Sequence, residues 1–91
     1  MSADKLRQAR LELDALDGQL LALLKQRGRL VRAAMEARLA MGEAGRDRSR
    51  EQELVGGLLE SWEASAEDAG AYDSSLILRV WQVLFEVSDE R

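Results

Sequence analysis

Two arginines stand in a row that is otherwise apolar. Leu6, Ala9, Leu13, Leu16, Leu20, Leu23 and Leu24 recur at three- and four-residue steps, and the stripe runs on as Arg27, Val31, Ala34, Arg38 and Met41. A core-facing stripe does not usually accept a guanidinium unless something anionic meets it. Arg27 and Arg38 are 11 residues apart. On a helix that is about three turns plus roughly 20° of rotation, so both point the same way, roughly 16 Å apart along the axis. The gap between their planar forks suits a compact dianion, whose carboxylates guanidinium groups bind in a bidentate way. The plainer alternative is that both pair with acids of other helices.

Further polar candidates lie downstream. Asp47, Arg50 and Glu51 fall at i, i+3 and i+4, and Leu54 and Leu58 continue their face, so these charges border the core. From spacing alone, N-terminal capping plus a local Arg–Glu pair is the better account of this DxxRE cluster. Ser88 lies on an apolar face, where a serine can simply hydrogen-bond its own helix backbone. Arg10 precedes Arg27 by 17 residues, about 25 Å along the helix and about 100° around it. It cannot share a small ligand with Arg27 within one chain. It could do so from the second chain of an antiparallel pair, although spacing alone favours an ordinary solvated arginine.

The missing residue types narrow the chemistry. With no histidine and no cysteine, the commonest general base, the commonest metal ligand and all thiolate chemistry are gone. An enzyme built from Arg, Asp, Glu, Ser and Gln is suited to binding and stabilising a charged small molecule, with no metal and no cofactor expected. The net charge of −4 and the lack of a basic patch interleaved with aromatics argue against nucleic acid. A polar N-terminus and the absence of a long apolar run argue against a signal peptide and a membrane span, so a cytoplasmic location is expected.

These side chains need helices to position them. Composition, 46% hydrophobic and 33% charged, is that of a globular chain, and its length suits one domain over residues 1–91. The first helix is expected over residues 4–41, about 57 Å long against a globule about 25 Å across. A projecting apolar stripe needs a second chain, and an intertwined homodimer supplies one. A bend at Gly18 or Gly28 is the alternative. Glycines at 42 and 45 end this helix. Asp47 or Ser49 caps a second helix, with Glu51 and Glu53 near its positive end. It runs to about Trp62 through Leu54, Val55, Leu58 and Leu59. Gly56 and Gly57 each cost it about 1 kcal/mol, and close packing against another helix is one reason for such a pair. A polar connection, 65–73, leads to a third helix started by Asp73 or Ser74. Its core face reads Ile77, Trp81, Leu84 and Ser88, with Val80 and Phe85 beside it. The expectation is an all-α, three-helix protomer with a long first helix, paired as an intertwined homodimer.

Taken together, these residues resemble the all-helical class of chorismate mutases. The resemblance rests on RLELDALDGQLLALLKQR from Arg10 to Arg27, on Arg38 one turn before a glycine-containing loop, on RDRSRE containing Asp47, Arg50 and Glu51, and on ILRVWQVLFEVS ending at Ser88. It covers the chain from about Leu6 to Ser88 and is weakest over 65–73. The run LDxLDxxLLxLLxxR with a downstream DxxRE is far more specific than any single element.

The resemblance implies an isomerase that converts chorismate to prephenate in an entwined dimer with two equivalent sites. Arg27 and Arg10 of the partner subunit would hold the two carboxylates. The cation at Arg38 would meet the ether oxygen as its bond breaks. Glu51 and the region of Asp47 would meet the ring hydroxyl, and Arg50 and Ser88 would line the pocket. Two positions depart from the family pattern. The family has lysine where this chain has Arg38, and its glutamine or glutamate one turn beyond Ser88 falls at position 92, past Arg91. Sibling reactions on the same fold are the nearest rivals: rearrangement of 4-amino-4-deoxychorismate, or elimination of pyruvate from isochorismate. A low-activity relative dependent on an activating protein partner, or a bare helical dimerisation module, are rivals of a different class.

Overall fold

The absence of proline and the long apolar periodicity are realised as one uninterrupted helix. In a computed structural model that describes residues 2–43 and 45–89, α1 spans Ser2–Ala40, 39 residues. At about 1.5 Å per residue it is about 58 Å long. Neither Gly18 nor Gly28 breaks it, which removes the alternative of a helix interrupted at those points. The expected bounds, 4–41, differ from the observed ones by no more than the fraying usual at helix ends.

Gly42 stops α1. Gly42 adopts a φ of 82°, the left-handed conformation that residues with a Cβ rarely enter. With Gly42 so placed, the Glu43 N–H reaches the Arg38 carbonyl at 2.9 Å and the Gly42 N–H reaches the Leu39 carbonyl at 3.0 Å. This is the paired closure that satisfies a helix's last orphan carbonyls.

The chain divides into two units, Met1–Ala44 and Gly45–Arg91. The second unit comprises α2 (Arg48–Ala64), a short 3-10 helix (Ala66–Ala69) and α3 (Ser75–Asp89). That turn lies in the stretch read from sequence as a polar connection. A single turn of 3-10 helix carries no periodicity long enough to recognise. No strand occurs among the described residues, so the fold is all-α with three α-helices, the first much the longest.

An aspartate accepts a backbone N–H at the start of each α-helix of the second unit. The Asp47 carboxylate accepts the Arg50 backbone N–H at 3.0 Å, so Asp47, rather than Ser49, caps α2. The Asp73 carboxylate accepts the Ser75 backbone N–H at 2.9 Å and also the Ser75 hydroxyl. These hydrogen bonds hold Asp73 below the ordinary aspartate range, the side-chain bond first, with Arg79 contributing electrostatically.

α2 packs against α3. Leu54, Val55, Leu58, Leu59 and Trp62 are half-buried on α2, as are Leu76, Val80, Trp81, Leu84, Phe85 and Ser88 on α3. Ile77, at 8% exposure, is the most enclosed apolar residue described. The face expected for α3 is the one it buries. Gly56 and Gly57 do not follow the expectation. Among the described residues, no atom outside the surrounding helix backbone lies within 4 Å of a Cβ built at either, so close packing against another described element does not account for them.

Candidate active site

In the first unit, the only residues of α1 withdrawn from full exposure are Arg27, Val31, Met35 and Arg38. Successive helix positions turn by about 100°, so these four fall within about 80° of one another. Ala34 and Met41, both placed on the stripe by periodicity, lie at its edge and are exposed. Met35 takes the covered place instead. Arg27 and Arg38 thus share one half-buried face, as their spacing requires. Arg27 makes no ion pair among the described residues. A guanidinium drawn part-way out of water is costly unless an anion meets it, and among the described residues no carboxylate does. The Arg38 backbone carbonyl accepts the helix-ending bond from Glu43.

Arg10 is exposed on the N-terminal half of the same helix. Around it the leucine stripe is open to solvent: Leu13, Leu16, Leu20 and Leu23 keep between 52% and 60% exposure. A continuous apolar row of that kind is usual where another chain packs, and unusual on a free surface.

In the second unit the DxxRE cluster resolves into separate jobs. Asp47 caps α2 through the Arg50 backbone, while the Arg50 side chain itself is exposed. Glu51 is half-buried and carries a partner, but the partner is not Arg50. The Arg46 guanidinium donates from Nε to Glu51 Oε2 at 3.0 Å and from Nη2 to Glu51 Oε1 at 2.6 Å. Neighbours in a helix point about 100° apart, so Arg50 cannot face the residue next to it. Arg46, outside the helix, can fold back over the first turn. Sequence reasoning missed Arg46. The only available signal was a basic residue directly before the capping aspartate.

Ser88 donates its hydroxyl hydrogen to the Leu84 carbonyl at 2.8 Å, the modest role open to any helical serine. Its oxygen keeps lone pairs with which it can accept. No group of three or more metal-ligating side chains occurs among the described residues, and none of the described helices is long and apolar enough to cross a membrane.

Among the described residues the chain is all-helical, with Arg27 and Arg38 half-buried on one face of α1 and, in the second unit, the Glu51 carboxylate gripped by Arg46. Its sequence matches the family chorismate mutase type II over residues 9–91, and the chain belongs to that family. No curated protein and no solved structure matches it.

Proposed function

We propose that the protein is a chorismate mutase, an isomerase that rearranges chorismate to prephenate, acting as an intertwined homodimer. The observation that carries this reading is the half-buried Arg27, without a carboxylate partner among the described residues, on one face with Arg38 in a chain of this family. The reaction is internal to the substrate: one C–O bond breaks as one C–C bond forms, and no proton leaves or enters. Neither histidine nor thiolate is needed. The enzyme must hold a compact conformer and stabilise negative charge growing on the ether oxygen.

In this reading Arg27 and Arg10 of the partner subunit bind the two carboxylates. Arg38 faces the ether oxygen. Glu51, with Asp47 beside it, accepts from the ring hydroxyl, and Arg50 and Ser88 complete the lining. The exposed leucines of α1, which a second chain would cover, support both the dimer and the role of Arg10. The test is loss of chorismate absorbance with purified protein, the product identified by chromatography. Prephenate is the expected product. A folded protein that leaves chorismate unchanged overturns the assignment and directs the assay to 4-amino-4-deoxychorismate and isochorismate.

A further inference from the structure

Two ion pairs among the described residues are built differently. Arg7 and Asp4 meet at 3.8 Å with side chains 77% and 71% exposed, a kind of contact that contributes little. Arg46 grips both oxygens of Glu51, at 3.0 and 2.6 Å, and the two side chains retain only 21% and 18% exposure. Fork-on-carboxylate geometry of this kind fixes direction as well as distance. It also occupies an unusual place. Arg46 comes before the capping residue, so the bend at Asp47 lays it back across the first turn of α2. Asp47 and Arg50, by contrast, leave their side chains exposed.

We propose that Arg46 is a positioning residue for Glu51, holding its carboxylate in the orientation that receives the substrate's ring hydroxyl; this rests on the chorismate mutase reading. Each carboxylate oxygen has two lone-pair sites. One on each is taken by Arg46, and the other stays available to a donor. A carboxylate clamped in this way is an acceptor only, so the pair favours a ring substituent that donates a hydrogen bond. Without the clamp, the rotatable glutamate side chain has several orientations and must be ordered by the substrate itself. Arg46 acts through Glu51 and not on the reacting atoms.

The experiment compares kcat/KM for wild type, Arg46→Ala, Arg46→Lys, Glu51→Ala and the double alanine variant, each shown by circular dichroism and thermal melting to be folded. The substrates are chorismate and chorismate methylated at the ring hydroxyl. With chorismate, Arg46→Ala is expected to lose on the order of 10- to 100-fold, the scale of a misplaced contact group. Arg46→Lys recovers part of this, since it returns the charge without the fork. In the Glu51→Ala background, Arg46→Ala changes the rate by less than about twofold. With the methyl ether, which has no hydrogen to donate, wild type and Arg46→Ala are equal. An Arg46→Ala variant as fast as wild type on chorismate, or slowed equally on both substrates, overturns the proposal, because equal slowing marks a general effect on the fold. Wild-type protein inactive on chorismate overturns the functional reading and this inference with it, and shows that before any variant is compared.

Discussion

The Asp47 carboxylate accepts the Arg50 backbone N–H at 3.0 Å, so a residue assigned to substrate binding is also the cap of α2. The two roles separate by substitution. Asp47→Ala should lower the unfolding free energy by about 1 kcal/mol, whereas Asp47→Asn, an equally good cap, leaves it nearly unchanged. If the carboxylate also meets the ring hydroxyl, Asp47→Asn raises KM at an unaltered melting temperature. Melting curves and steady-state kinetics on the two variants decide this.

Arg27 and Arg38 share the half-buried face of α1, yet they should respond differently to substitution. Arg27→Ala should abolish measurable turnover, a loss on the order of 100-fold or more, while the protein stays a folded helical dimer. Arg38→Lys should turn over chorismate as fast as wild type or faster, since a compact ammonium is what the family places there. A sharp fall in kcat for Arg38→Lys would show a site rebuilt around the guanidinium.

The exposed leucines of α1 make a hydrodynamic prediction. Wild type should sediment as a dimer. Leu13→Lys with Leu20→Lys should give a monomer of reduced helicity, because each leucine covered by a partner contributes about 1 kcal/mol or more. Sedimentation velocity combined with circular dichroism reads both quantities. A monomeric wild type would remove the dimer and the role given to Arg10.

Gly56 and Gly57 are interior helix positions where, outside the surrounding helix backbone, no described atom lies within 4 Å of an added Cβ. Replacing either by alanine should therefore stabilise the fold by roughly 0.5–1 kcal/mol. In a domain of this size that raises the melting temperature by several degrees. Destabilisation instead, with a weaker dimer by sedimentation, would mean that a second copy packs against the pair.

Asp73 predicts an acid dependence. Its hydrogen bonds to the Ser75 hydroxyl and N–H hold its carboxyl below the ordinary value. A group with a depressed folded pKa stabilises above its unfolded pKa, about 3.9 for aspartate, and that stability fades as pH falls through the folded value. Asp73→Asn should flatten the fall in melting temperature below about pH 4, while near neutrality it loses the charged cap. Thermal melts from pH 2.5 to 7, roughly the interval spanning an aspartate titration, check both limbs.

Much of this architecture is local and therefore visible in the sequence. The long helix follows from leucine periodicity without proline, and its end from Gly42. The capping aspartates precede α2 and α3 because a short carboxylate reaches N–H groups two or three residues on. The face of α3 from Ile77 to Ser88 follows from helical spacing alone. Even the shared direction of Arg27 and Arg38 needs only the helical repeat.

What the sequence could not determine depended on the path of the chain outside its regular elements. Spacing rules apply within a helix, and they place a local partner for Glu51 inside α2. The partner is Arg46, which lies before the cap, so only the bend at Asp47 brings its fork onto the carboxylate. The covered stripe of α1 likewise runs through Met35 rather than Ala34 because a stripe is broad. Periodicity locates such a face to within one residue, and burial in three dimensions selects which side chains occupy it.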